Sequence, residues 1–321
     1  MNTLLVGAGY WGKNFIRLLE SEKNQFALEY IVDKQFEDSR FKCFNNINEI
    51  DNLTNDIDCA IVCTPTMTHF EIVKYLLSNN INVLVEKPLA TSTKEVDELY
   101  NLANSNNLTL LVDHTFLYNK SVQYIINLIN SGEIGELLHV SFERTNLGPI
   151  RNDVSCLWDL ATHDVSILNA IVSEYPDNIS SSGFSRNSES NFDMLNSSLK
   201  WNSLFVSIFV SWLHPEKSRK IKFVGTDKMI VFDDLNLGEP IKIYNKKVES
   251  LSEKINKFDS IFNFSIGDVY SPYVQTKEPL SEVLYDFEHH ILKKQSINKF
   301  NTEQLTKNTI RLLEDIEKVT I

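Results

Sequence analysis

One hexapeptide does most to limit what this chain can fold into: Gly7-Ala8-Gly9-Tyr10-Trp11-Gly12, set between the apolar run Thr3–Val6 and the amphipathic stretch Trp11–Leu19. Strand, glycine loop and helix in that order form the phosphate-binding turn of a dinucleotide fold. The first glycine permits a tight turn, the second lets backbone approach a pyrophosphate, and the third lets helix and strand pack closely. Asp33 closes the next apolar run, Ala27–Val32. There, about twenty residues on, a carboxylate accepts from the adenosine ribose hydroxyls. The same carboxylate repels a 2′-phosphate, so NAD is expected over NADP, although Lys34 beside it acts the other way.

Two other glycine-rich readings fail on neighbouring residues. Gly7 to Lys13 also fits the spacing of an ATPase phosphate loop, but Asn14 follows where a hydroxyl should meet magnesium. The run Cys59–Cys63 ends in Thr64-Pro65 rather than in a magnesium-holding aspartate. Nothing further along supports a methyltransferase.

The first third alternates short apolar runs with helical patterns. Thr3–Val6, Ala27–Val32, Cys59–Cys63, Val83–Val85 and Leu108–Val112 read as buried strands. Trp11–Leu19, Thr68–Leu77 and Glu95–Asn104 read as helices, the last opened by a capping box, Ser92 with Glu95. This alternation implies a doubly wound parallel sheet with helices on both faces. After Asn119 the pattern turns to period two, over Leu137–Arg144, Ser197–Trp201, Leu204–Trp212, Lys220–Val224, Lys228–Phe232 and Pro240–Tyr244. Gly225-Thr226-Asp227 reads as a hairpin connection, the serine-rich stretch 180–190 as a surface loop, and Ser281–Lys294 and about 302–318 as closing helices. The expected architecture is therefore α/β plus α+β: a dinucleotide-binding domain over 1–119 and a mainly antiparallel open sheet domain over 120–321.

Composition narrows the partners. With 42% hydrophobic and 23% charged residues, the 321-residue chain has the balance of a globular protein. A net charge of -12 argues against a nucleic-acid surface or an anionic membrane as partner. Cys43, Cys59, Cys63 and Cys156 are too scattered for a disulfide framework. No leader-like or spanning apolar run is present, so a cytoplasmic protein is expected.

The chemical residues cluster in two places. Glu86-Lys87-Pro88 follows the strand Val83–Val85, and strand C-termini form the ligand crevice of such a sheet. Lys87 is thus aimed to donate to a substrate oxygen. Asp159 and His163 lie four apart in Trp158-Asp159-Leu160-Ala161-Thr162-His163-Asp164, on one face if the segment is helical. Imidazole suits removal of a hydroxyl proton, and the carboxylate can orient it. The same spacing also fits a helix-surface contact or half a metal site. His69, His114 and His289-His290 complete no metal motif with it, so no metal is expected. Arg144 and Arg151 suit a phosphate or carboxylate, or an internal ion pair. Tyr118 and Trp158 suit a sugar face or the core.

Together these residues resemble the glucose–fructose oxidoreductase, inositol dehydrogenase and MocA family. The resemblance rests on Gly7–Gly12, on Thr64-Pro65 with His69, and on Glu86-Lys87-Pro88, Gly132-Glu133-Ile134-Gly135 and Asp159 with His163. It implies a catalytic set of Lys87, Asp159 and His163, and a second sheet that builds homodimers or homotetramers. It also implies cofactor contacts at Gly7, Gly9, Tyr10, Trp11, Gly12, Asp33, Thr64, Pro65, His69, Glu86 and Lys87. Many members read DxGxHxxD, whereas here Leu160-Ala161-Thr162 intervenes and Asp164 follows His163 directly. The stretch Arg144 to Arg151, with Asn146 inside it, looks most like members acting on nucleotide sugars at C3. That resemblance places Arg144, Asn146 and Arg151 with the three catalytic residues around a sugar, where Tyr118 and Trp158 are the candidate apolar wall. The expectation is NAD-dependent hydride transfer at a sugar carbinol. Its rivals are a polyol, inositol or imine enzyme of the same family, and a non-catalytic dinucleotide sensor.

Overall fold

The apolar runs of the first third form strands and are joined by one short strand that their pattern does not reveal. In this computed structural model, which describes residues 1–21, 24–186, 191–249, 263–294 and 296–321, the strands are β1 (Asn2–Val6), β2 (Ala27–Val32), β3 (Lys42–Phe44), β4 (Cys59–Val62), β5 (Asn82–Glu86) and β6 (Leu110–Asp113). They pair in parallel in the order β3-β2-β1-β4-β5-β6. The order reverses direction between β1 and β4, the switch point where such sheets take their ligands. Three helices connect them: α1 (Tyr10–Ser21), α2 (His69–Ser78) and α3 (Thr93–Ser105). Each buries a stripe at helical spacing, such as Phe15, Ile16, Leu18 and Leu19 of α1.

Two departures from the sequence reading concern helices. The last two, α6 (Pro279–Ile291) and α7 (Glu303–Val319), fall by pattern after the second sheet, yet most of their length belongs with the first. One unit comprises Met1–Asn119 with Lys277–Glu314; the other comprises Lys120–Thr276 with Asp315–Ile321. An apolar stripe reports that a helix packs, not which sheet it covers. Here Phe287 stacks on Phe26 at 5.8 Å. Asn298 and Asn301 donate to the carbonyls of Leu117 and Val112 at 3.0 and 2.9 Å. The capping box of α3 does not form either, because Ser92 makes no side-chain cap bond. Glu314 of α7 instead accepts from Thr93 N and Oγ1 at 3.2 and 2.5 Å, a charged acceptor supplied by tertiary structure.

The second unit contains α4 (Lys120–Asn130), β7 (Leu137–Leu147), α5 (Thr162–Ile171), β8 (Asn178–Phe184), β9 (Met194–Lys200), β10 (Phe205–Ser211), β11 (Leu213–Gly225), β12 (Met229–Asp233), β13 (Ile241–Glu249) and β14 (Asn263–Tyr270). Its eight strands run β14-β13-β12-β11-β7-β10-β9-β8, antiparallel except for β7 against β10. Val122, Ile125 and Ile126 of α4 and Ile167 of α5 meet Ile221, Phe223 and Phe232 of the sheet in one apolar layer. The serine-rich stretch is a strand, not a loop, over β8, where Ser181 and Ser197 hydroxyls pair at 2.8 Å across the ladder. Its residues 187–190 lie outside the described residues.

Tyr118 is 1% exposed inside the first unit. Its hydroxyl donates to Asp286 Oδ2 at 2.7 Å and accepts from Asn301 Nδ2 at 2.9 Å. Tyr118→Phe is therefore expected to cost about 1–3 kcal/mol, because buried Asp286 and Asn301 both lose a partner. Urea unfolding of the variant beside the wild type measures this loss.

Candidate active site

The glycine loop is shaped by lack of space on one side and open space on the other. Gly7 has φ +92°, and a Cβ there would stand 2.7 Å from the Cys63 carbonyl oxygen. A Cβ on Gly12 would stand 2.1 Å from the Gly7 oxygen, so α1 crosses β1 only because both side chains are absent. Gly9, in contrast, has nothing within 4 Å of its Cβ position and is exposed. Backbone approach to a pyrophosphate needs that opening, and the first turn of α1 leaves N–H groups for it. No acidic residue stands in that turn to repel an anion. Tyr10 and Trp11 are exposed and meet edge to face at 5.5 Å.

Asp33 ties the loop to the next strand. Its Oδ2 accepts from Ala8 N at 2.8 Å, and its Oδ1 accepts from Gln35 N and Phe36 N at 2.8 and 3.1 Å. Beyond β4, Thr64 accepts through Oγ1 from Thr68 at 2.8 Å, and Pro65 is exposed. His69 is buried, with Nδ1 on the Pro88 carbonyl and Nε2 on the Thr64 carbonyl, both at 2.8 Å. Carbonyl oxygens only accept, so each bond is donated by a ring nitrogen that carries a proton. His69 thus clips the loop after β4 to the loop after β5, where Lys87 lies half-buried. Glu86 is buried behind it, in register with Asp113 of β6.

In the second unit, Asp159 sits in a π-helical turn, Leu157–Ala161, that runs into α5, and His163 is in the first turn of α5. Such turns recur at functional sites. Asp159 Oδ1 accepts from Arg151 Nη1 at 3.2 Å and Oδ2 from the Trp212 indole at 3.1 Å. Arg151 also forks onto Asp153, with Nε and Nη2 at 2.9 and 2.7 Å. These neighbours hold its guanidinium further into the charged form, the Asp153 hydrogen bond first. Asn146 donates to the Gly148 carbonyl.

A family model for oxidoreductases with an NAD-binding Rossmann fold matches residues 1–114, and a model for the GFO/IDH/MocA C-terminal domain matches residues 122–231. The chain belongs to the Gfo/Idh/MocA family. The UDP-N-acetylglucosamine 3-dehydrogenase of Acidithiobacillus ferrooxidans is 24% identical over 204 residues, 61% of each chain. The 2,7-anhydro-N-acetylneuraminate hydratase of Escherichia coli is 28% identical over 149 residues, 45% of this chain and 40% of that protein. The matches thus span under two thirds of these curated relatives. A solved structure of the Acidithiobacillus enzyme superposes with TM-score 0.80 at 18% identity, over 100% of this chain and 97% of that one, which shows the shared fold.

As a Gfo/Idh/MocA protein the chain has an NAD-binding Rossmann domain, and its glycine cradle fits that cofactor. Three residues placed around a sugar by sequence have other employment. Arg144 is 5% exposed, and its guanidinium is held by Asp164 at 2.8 Å. Burial raises the Asp164 carboxyl, and Arg144 opposes that rise. Trp158 is buried and donates to Glu317 Oε1 at 2.9 Å, and Tyr118 is the core residue described above. The reason is common to all three: a large side chain with a polar tip is buried wherever a partner meets that tip. Sequence reading missed Asp153, Asp164 and Trp212. The adjacency of Asp164 to His163 was the only visible hint of one of them.

The three backbone donors on Asp33 qualify its role in cofactor choice. Asp33→Ser is expected to weaken NAD binding, since the loop loses charged acceptors, and to narrow the preference over NADP. Titration calorimetry with both cofactors checks this; NADP binding as tightly as NAD to the wild type would refute it.

Proposed function

We propose that this protein is an NAD(H)-dependent oxidoreductase acting on a sugar carbinol, an NDP-hexose of the UDP-N-acetylglucosamine type at C3. The observation that carries the reading is the placement of Lys87 at the C-terminal end of β5, beside the ends of β1 and β4 that carry the cofactor loop. Bound NAD+ supplies the hydride acceptor for the carbinol C–H. His163 accepts the hydroxyl proton, Lys87 donates a hydrogen bond to the oxygen on which charge develops, and Asp159 orients the polar groups around them. Ketone reduction uses the same groups in reverse. The four cysteines are free thiols, which accords with the cytoplasm. By family resemblance the second sheet builds a homodimer or homotetramer.

A second reading, a free polyol or inositol as substrate, draws support from the arginines. Arg144 is committed to Asp164, and Arg151 to Asp153 and Asp159, so neither stands apart as a pyrophosphate anchor. The nucleotide-sugar reading draws its support from the Acidithiobacillus relative.

Initial rates with NAD+ and UDP-N-acetylglucosamine, glucose and myo-inositol separate the two. On the substrate that turns over, Lys87→Ala and His163→Ala are each expected to lower kcat about 10²–10⁴-fold. NAD binding and fold should survive, and near-normal turnover in either variant removes that residue from the mechanism. Arg151→Ala is expected to lower kcat by releasing Asp159. A rise in KM confined to the nucleotide sugar would mark a phosphate contact instead.

A further inference from the structure

Glu86 and Asp113 end adjacent parallel strands and stand opposite each other in register. Both are buried, at 7% and 0% exposure. Thr115 donates to Asp113 Oδ1 at 2.7 Å, whereas Glu86 Oε1 and Asp113 Oδ2 are buried without a donor hydrogen-bonded to them. Two buried carboxylates this near do not both ionise; one proton between them gives each orphan oxygen a partner. Burial, with the charge of Asp113, drives the Glu86 carboxyl well up, and burial pushes Asp113 up to about 6 against the pull of Thr115, Glu86 and Lys87. Near neutral pH the pair therefore holds one proton and one negative charge.

The groups around the pair leave that charge to Lys87. His114, directly after β6, is pushed down to about 3 by burial and by Lys87, so it is neutral. The Cys63 thiol at the end of β4 is driven up by burial and by both carboxyls, and the Tyr118 phenol is driven up by burial, so both keep their protons. Lys87 follows Glu86 directly, and its charge acts on Glu86, Asp113 and His114 alike.

We propose that Asp113 is a positioning residue: with Glu86 it forms a one-proton, one-charge acid pair that fixes where the Lys87 ammonium stands and makes that alignment pH-dependent. This rests on the reading of Lys87 as the donor to substrate. The sign follows directly. As pH falls through about 6, Asp113 gains a proton, the pair becomes neutral, and Lys87 loses its anchor, so kcat declines on the acid side.

The test is carboxyl carbon NMR of the full chain labelled at Asp and Glu, titrated from acid to alkaline pH. One aspartate resonance should titrate near 6, vanish in Asp113→Asn and move upward in Lys87→Met, where the favouring cation is gone. Lys87 is half-buried at a strand end, so this second variant probes the pair with its core packing intact. A titration in the ordinary carboxylate range, or one unmoved by Lys87→Met, overturns the proposal. On the substrate identified above, Asp113→Asn should lower kcat tenfold or more with KM little changed and abolish the acid limb. Normal turnover and profile in Asp113→Asn, with Lys87→Ala inactive, sinks the positioning role alone. A full-activity Lys87→Ala enzyme sinks the functional reading and this proposal with it.

Discussion

The close approach of α1 to β1 is the constraint on which the cofactor half depends. A Cβ at Gly12 would lie 2.1 Å from the Gly7 oxygen and one at Gly7 would lie 2.7 Å from the Cys63 oxygen. Backbone atoms crowd the space where β1, β4 and α1 converge. That convergence brings Asp33 within 2.8 Å of Ala8 N and sets Thr64, through His69, against the loop that carries Lys87. One pair of glycines thus fixes the ends of β1, β2, β4 and β5 relative to each other. A single larger residue there would disturb the glycine loop and the loop that carries Lys87 together.

In the second unit the comparable anchor is charged. Arg144 of β7 stands in register with Arg219 of β11, and Asp164 of α5 answers it from within the core. Breaking such a buried pair from one side costs about 3–5 kcal/mol, because the other charge is left uncompensated. The pair fastens α5, and so His163 one residue earlier, to the middle of the sheet. This gives a physical reason for the departure noted in the sequence, an aspartate directly after the histidine. Asp159 is fixed separately by Arg151 and the Trp212 indole, so histidine and carboxylate are set by different supports.

Legibility followed the range of the interactions. The parallel strands were readable because each is a short apolar run with its own turn, and Ala27–Val32 has the expected bounds. The glycine loop and Asp33 were readable because their chemistry is local. β3 was not, having three residues and no buried face to pattern it. Nor was β8, whose serines pair across the ladder rather than marking a loop. The cap of α3 was misread because Glu314 lies over two hundred residues away, and Ser92 with Glu95 satisfied the local rule without making the bond. The partners of the residues expected at the sugar were hidden for the same reason. Arg144, Trp158 and Tyr118 reveal their partners Asp164, Glu317 and Asp286 only through the fold.

Charge pairing bears on what the second unit can recognise. Arg151 meets Asp153 through two nitrogens and Asp159 through a third. An anionic ligand reaching it would compete with carboxylates already in place, so its gain is a difference between two charge-assisted sets rather than a full bond of about 1.5–3 kcal/mol. A hydroxyl donating to Asp159 likewise meets an acceptor that already holds Arg151 and the Trp212 indole. A site built to hydrogen-bond a hydroxyl rejects analogues lacking it far more strongly than a pocket that discriminates by size, because its buried polar groups would be left unpaired. Asp159 is held by two donors, and His163 sits on a helix braced by the Arg144–Asp164 pair. On the proposed reading, a phosphate gains at Arg151 only insofar as it displaces Asp153 or Asp159.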